Sequence, residues 1–359
     1  MRKASQPKIP VLVLFGPTAS GKTALLEKLF SGPHPLCRAE VVSADSMQVY
    51  RGMDIGTAKP GRESRERLPH HLLDIRDPRE QFNVGDFVRL AGEACGEIAG
   101  RAALPVIAGG TGFYLKNFIL GLPDAPPSDG EVRARLKREL EELGAGVLME
   151  ELARLDPVSA ARIHPHDTYR LSRALEVCRL TGRPLSSFQV SGKVPADPSA
   201  PPGEEAAGPG RPGYRFLIAG LKRSREELYR RVELRCEEMF RRGLREEVEG
   251  LFNRGYTPRD PGLRAIGYRE FFVDAGGPAG GAGKEGPDYT LSGDTGGVQA
   301  LIVRNSRRYA KRQETFFAAL PRAVEGAGNT VWLSLEGDGE KALDLLRSLV
   351  HTFLDNPIV

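Results

Sequence analysis

The chain of 359 residues is long enough for two compact units, and a composition of 40% hydrophobic and 27% charged residues is that of a globular protein. Its 51 Lys and Arg against 47 Asp and Glu leave a net charge of +4, too mild to announce a nucleic-acid partner without local clustering. Cys37, Cys95, Cys178 and Cys236 stand far apart with no CxxC pair, which argues against a disulfide framework or a zinc site and fits a reducing cytoplasm.

Residues 11–15 form a continuous β-branched and apolar run that leads into a Gly-rich turn and then into the helical spacing of Ala24, Leu25, Lys28 and Leu29. With no cleavage site after it, the run reads as a buried strand rather than a leader. No later stretch approaches the roughly 20 apolar residues of a membrane helix, so the expected protein is soluble and has no membrane partner. Short runs at 41–42, 72–75 and 105–108 predict further strands, and Phe87, Leu90, Ala91, Ala94 and Ile98 mark one face of a helix between them. Strands alternating with helices predict an α/β fold with a parallel sheet, whose ligands gather at the carboxyl ends of the strands.

From residue 124 the texture becomes charged and helical, with Val132, Leu136, Leu140 and Leu143 at helical spacing and a second helix around 169–180. The expected layout is a core over 1–123, a helical insertion over 124–190, a disordered Pro/Gly-rich loop over 191–213, and completion of the core over 214–359. Within the last part, 214–221 reads as a strand, 224–254 as one long charged helix, 276–297 as a Gly-rich loop, and 331–335 as a strand before a closing helix.

Gly16, Pro17, Thr18, Ala19, Ser20, Gly21, Lys22 and Thr23 fit GxxxxGK[ST] between a strand and a helix, which makes the parallel sheet one of the P-loop NTPase type. In such a loop the backbone N–H groups converge on phosphate oxygens, Lys22 adds a charge, and the Thr23 hydroxyl can meet Mg²⁺. Asp45, after the second strand, is due at the same sheet edge, as a general base, a support for magnesium, or a helix cap. Thr111 is similarly placed after the fourth strand and reads by itself as another cap. Arg231 and Arg235 share a helix face. Arg304, Arg307, Arg308, Lys311 and Arg312 crowd one segment near Tyr309, Phe316 and Phe317, as either a solvated face or a nucleic-acid surface. His70 and His71 lack further ligands at metal spacing and read as structural.

The stretch from Asp45 to Pro60, DSMQVYRGMDIGTAKP, resembles a signature of the tRNA dimethylallyltransferases, also called tRNA isopentenyltransferases. Further matches follow in the same order: HHLLD from His70, GGTGFY from Gly109, YRLSRALE from Tyr169, RAIGYRE from Arg264 and YAKRQETF from Tyr309. Phe316 stands where that family's pattern has tryptophan, and the two Gly-rich stretches look like insertions. The resemblance implies a cytoplasmic enzyme that moves a dimethylallyl group from dimethylallyl diphosphate to N6 of the adenine 3′ of the anticodon in tRNA, at position 37. Mg²⁺ would be the cofactor, the tRNA anticodon stem-loop the partner, and a monomer the expected state. It assigns chemistry to Asp45, Lys22, Thr23, Thr111 and Arg231. Contacts to tRNA fall to Asp45, Ser46, Met47, Gln48, Thr111, Arg133, Tyr169, Arg170, Leu171, Ser172, Arg173, Arg312 and Gln313. Rival readings are an isopentenyltransferase for free adenylate, a P-loop kinase and a non-catalytic tRNA-binding module.

Overall fold

The first strand, β1 (Ile9–Phe15), is apolar throughout because both of its faces are covered; its residues from Val11 onward are fully buried. In the computed structural model, which describes residues 8–188, 210–275, 288–328, 330–336 and 339–356, the glycine loop carries β1 into α1 (Lys22–Phe30). Then follow β2 (Ala39–Ser43), α2 (Arg62–Arg67), β3 (His70–His71), α3 (Val84–Gly100), β4 (Leu104–Gly109) and α4 (Gly112–Leu120). Three helices come next, α5 (Gly130–Leu155), α6 (Pro157–Arg162) and α7 (Thr168–Thr181). The chain continues with β5 (Tyr214–Lys222), α8 (Arg225–Arg241), α9 (Leu244–Asn253), β6 (Phe272–Asp274) and β7 (Tyr289–Leu291). It ends with α10 (Thr295–Ala323), β8 (Thr330–Ser334) and α11 (Glu340–Asp355).

Two compact units emerge, Met1–Ile119 with Pro212–Val359, and Leu120–Arg211. The first holds a six-stranded sheet in the order β3-β2-β4-β1-β5-β8, every pair parallel. Leu12 of β1 lies between Val106 of β4 and Leu217 of β5. Because β1, β2 and β4 run the same way, their carboxyl ends deliver the glycine loop, Asp45 and the turn at 109–112 to one edge. One core of this unit packs Leu25 and Leu29 of α1 with Leu343 and Leu346 of α11. A second gathers Met53, Val248, Tyr268, Phe271 and Ile302. In the other unit, Leu136, Leu148 and Leu152 of α5 pack on Leu171 and Leu175 of α7. Among the described residues, no helix is long and apolar enough to cross a membrane.

Several expected elements are corrected. The strand expected at 72–75 is absent: β3 stops at His71, because Leu72 and Asp74 take positive φ of 62° and 57°, which no strand accommodates. The single helix expected at 224–254 is two, broken where Gly243 adopts φ 92°. Helix α5 kinks at Gly144 (φ 81°), so Leu143 leaves the apolar stripe and is exposed. The expected loop at 191–213 lies outside the described residues except for 210–213. Of the Gly-rich loop expected at 276–297, residues 276–287 lie outside them, and the remainder forms β7 and the start of α10, where Asp294 caps the helix by accepting from Gly297 N at 2.8 Å.

Candidate active site

Gly21 turns the loop into α1 with φ 100°, in the left-handed region that favours glycine, and its carbonyl receives the first helical bond from Leu25 N at 3.1 Å. Lys22 Nζ folds back on the loop and donates to the Gly16 and Pro17 carbonyls at 2.8 and 2.9 Å. The residue keeps partial exposure, but its ammonium is enclosed. Burial lowers its pKa to about 8, with the Asp45 carboxylate pulling it up and Arg235 pushing it further down. Thr23 stands exposed on the first turn of α1.

Three arginines hold the loop from outside. Arg223 Nε donates to Ser20 O at 2.8 Å, Arg231 Nε to Ala19 O at 2.8 Å, and Arg235 Nη1 to Thr18 Oγ1 at 3.0 Å. Burial lowers the pKa of the Arg235 guanidinium, and the Asp45 charge counters that effect. Sequence reasoning assigned only Arg231 to this loop. The spacing of Arg231 and Arg235 marked a shared helix face, but nothing in the sequence said that the face meets the loop, and Arg223 gave no signal.

Asp45 follows β2 and caps a turn, not a helix: its Oδ1 accepts from Met47 N at 2.9 Å and from Gln48 N at 3.4 Å. Thr111 Oγ1 accepts from Ser46 N at 3.2 Å, so its hydroxyl links the two strand ends. Among the groups around the Tyr309 hydroxyl are Thr111 and Gln313; burial, reinforced by the Asp45 charge, pushes its pKa up to about 12. The sequence marked Tyr309 as a neighbour of basic residues and as the start of the YAKRQETF motif, without a role of its own.

A cavity of about 280 Å³ opens beside these groups. Thr18, Asp45, Arg235, Tyr309 and Arg312 give it polar walls, and Val232, Cys236, Met239 and Ile302 give it apolar ones. Ser46 and Met47 line it as well.

Two residues of this unit expected at tRNA, Gln48 and Gln313, have side chains hydrogen-bonded within the protein. Gln48 accepts from Ser43 Oγ at 2.9 Å and donates to Thr57 O at 3.2 Å. Gln313 is buried; its Oε1 accepts from Thr18 N at 2.9 Å and its Nε2 donates to Gly110 O at 2.8 Å. Phe316 packs over Gly112, where a Cβ would come within 2.3 Å of its ring.

In the helical unit, Tyr169 is 65% exposed, Arg170 is exposed, and the Arg133 guanidinium lies 5.7 Å from the Tyr169 ring centroid. Ser172 is half-buried. The Leu171 side chain is fully buried, because the helical period puts it with Ala174, Leu175 and Cys178 on the face that meets α5. The Arg173 guanidinium bonds Glu176 at 2.8 Å and the Pro126 carbonyl at 2.6 Å.

Along α10, Arg307 is paired with Glu233 and lies 5.2 Å from the Tyr229 ring centroid. Arg304, Arg308 and Lys311 line the same groove and have no ion pair among the described residues. His71 Nε2 meets the buried Glu40 at 2.8 Å, in keeping with a structural role. No cluster of three or more His, Cys, Asp or Glu able to hold a metal occurs among the described residues.

The sequence model of the family described as IPP transferase matches residues 48–320. The chain belongs to this family. A relative from Geobacter sulfurreducens named tRNA dimethylallyltransferase is 42% identical over 88% of this chain and 90% of its own length. Another from Pelobacter propionicus, named tRNA dimethylallyltransferase 1, is 39% identical over 97% and 99%. The crystal structure of the full-length tRNA isopentenylpyrophosphate transferase of Bacillus halodurans, 32% identical, covers 98% of both chains with a TM-score of 0.60. A eukaryotic dimethylallyltransferase acting on tRNA reaches a TM-score of 0.71 over 96% of this chain and 80% of its own, and at 22% identity that likeness is one of fold. The family and the parallel sheet behind a phosphate loop thus agree with what the sequence motifs imply.

Proposed function

We propose that the chain transfers the dimethylallyl group of dimethylallyl diphosphate to N6 of the adenine 3′ of the anticodon in tRNA, releasing diphosphate. The observation that carries this reading is one cavity shared by Thr18 of the phosphate loop, the Asp45 carboxylate, the Arg235 guanidinium and an apolar wall. An allylic diphosphate needs all four. Breaking its C1–O bond leaves negative charge on diphosphate and positive charge on the prenyl group. The loop amides, Lys22 and Arg235 suit the first, and an apolar wall that excludes water suits the second. As the C1–N6 bond forms, the amine must lose a proton, and the Asp45 carboxylate is the acceptor beside it.

Of magnesium donors, the Thr23 hydroxyl on the first turn of α1 has the right chemistry and exposure. When bound, Mg²⁺ would neutralise charge on the departing diphosphate. The adenine lies in a stacked loop and must be extruded to reach the cavity, at a cost of a few kcal/mol. Arg304, Arg308 and Lys311 in this unit, and Arg133, Tyr169 and Arg170 in the helical one, are the side chains suited to offset that cost.

Incubation with donor and unmodified tRNA, followed by mass spectrometry of the nucleosides, tests the reaction. Asp45→Asn keeps the turn cap but removes the charge, so transfer should fall on the order of 10²–10⁴-fold while both substrates still bind. Near-normal turnover in this variant would remove Asp45 as the base.

A further inference from the structure

The carboxylate of Glu247, on α9, sits in a nest of backbone amides that the reaction itself does not use. Its Oε2 accepts from Asp54 N and Ile55 N, both at 2.8 Å, and its Oε1 accepts from Gly56 N at 3.2 Å and from the Tyr268 hydroxyl at 2.6 Å. Three successive N–H groups converging on one carboxylate make an anion cradle filled by the protein's own side chain. Tyr268 is fully buried behind it, and its ring lies so close to Gly56 that a Cβ there would come within 2.5 Å. Burial, with the Glu247 charge and hydrogen bond, raises the Tyr268 pKa well above its usual value, so the hydroxyl stays a donor.

The segment held this way borders the cavity. Gly56 and Thr57 line it, and the Thr57 carbonyl receives Gln48 Nε2 at 3.2 Å and faces Arg235 Nη2 at 3.5 Å. Arg235 reaches from that carbonyl to Thr18 of the phosphate loop, and Gln48 is bound to the turn that Asp45 caps. From its other side, the segment is fixed by the buried Lys59 ammonium, bonded to Asp54 and Asp74 at 2.7 and 2.6 Å. Loss of the Glu247 anchor would release the amides of 54–56, leaving Thr57 held by its hydroxyl on the Met53 carbonyl at 2.6 Å and Asp54 by Lys59.

The geometry points to Glu247, backed by Tyr268, as a positioning residue for prenyl transfer that sets where the 54–57 segment presents Thr57 O to Arg235 and Gln48. This rests on the prenyl-transfer reading of the cavity. Glu247 does not touch that cavity, and its effect travels through backbone. A misplacement of about 1 Å at a reacting centre is worth on the order of 100-fold in rate, so the expected effect falls on kcat and not on the tRNA KM.

The test compares Glu247→Gln, which turns one acceptor into a donor facing N–H groups, with Tyr268→Phe, which leaves the amide cradle intact. At a temperature where circular dichroism shows each variant folded, Glu247→Gln should lower kcat per folded molecule roughly 10–100-fold with the tRNA KM within about twofold, and Tyr268→Phe should lower it a few-fold. Hydrogen exchange at the amides of 54–56 should quicken in Glu247→Gln. Wild-type turnover by itself tests the prenyl-transfer reading; the ratio of variant to wild type tests the positioning role. A lowered melting temperature with unchanged kcat per folded molecule, in both variants, would show Glu247 to be a structural strut and overturn the proposal. Unchanged exchange at 54–56 would overturn it equally.

Discussion

Gln313 joins helix α10 to the phosphate loop by accepting the Thr18 amide proton at 2.9 Å, and the other end of the same amide donates to the Gly110 carbonyl at 2.8 Å. One buried side chain thus ties together the turns that follow β1 and β4. Gln313→Leu would leave the part-buried Thr18 N–H and the buried Gly110 carbonyl without this partner, the carbonyl at about 1–3 kcal/mol. It should lower stability in urea titrations and also weaken donor binding, because Thr18 loses its fixed amide orientation. Gln313→Glu keeps the acceptor and should retain more donor affinity. Equal donor affinity in wild type and Gln313→Leu would confine Gln313 to stability.

Lys22 gives the donor site a pH dependence whose sign follows from its lowered pKa. Burial brings the ammonium to about 8, so raising the pH through that value removes the charge of Lys22 before diphosphate arrives. The donor kcat/KM, which reports the free enzyme, should fall above pH 8 by up to roughly tenfold per unit. Lys22→Arg, lower in activity because the guanidinium fits the loop differently, should show no such decline. A flat wild-type profile between pH 7 and 9 would place the titration of Lys22 elsewhere.

Salt dependence separates the cations of α10. Arg307 is already neutralised by Glu233, whereas Arg304, Arg308 and Lys311 have no ion pair among the described residues. If the latter meet tRNA phosphates, replacing Arg308 and Lys311 by Gln should reduce the slope of log affinity against log salt by about 1–2. Arg307→Gln should leave the slope nearly unchanged. Identical slopes for wild type and the double variant would return this face to solvent.

The parts that were legible in the sequence share one property: their signal is local. The phosphate loop declares itself by glycines between a strand and a helix, and β1, β4 and β5 declare themselves by apolar runs. Asp45 was legible because it follows a strand of a parallel sheet. Arg223, Arg235 and Glu247 were not assigned to the site because each acts on a residue far along the chain, and which way α8 and α9 face depends on core packing around Met53 and Tyr268. Leu171 and Gln313, both buried, show what a motif leaves open. A motif marks a segment as engaged with substrate, but the helical period decides which of its side chains face the core.

Asp156 makes the helical unit sensitive to acid. It is fully buried at the start of α6, where it accepts from Ser159 N at 2.9 Å, Ser159 Oγ at 2.6 Å, Ser186 N at 2.8 Å and Ser186 Oγ at 2.7 Å. Burial alone would raise its pKa, but these four donors outweigh burial and bring it down to about 2. A carboxylate whose folded pKa lies below its unfolded value contributes stability that is fully present above roughly pH 4, and loses it as the pH falls through the unfolded value towards the folded one. The contribution is roughly 2 kcal/mol, from about 1.4 kcal/mol per unit. Asp156→Asn, which cannot accept all four bonds, should destabilise the protein by that order at pH 7 and flatten the acid limb between pH 4 and 2. Thermal melts of wild type and variant across that range decide it. Parallel acid limbs in the two proteins would mean that the loss of stability in acid arises at other carboxylates.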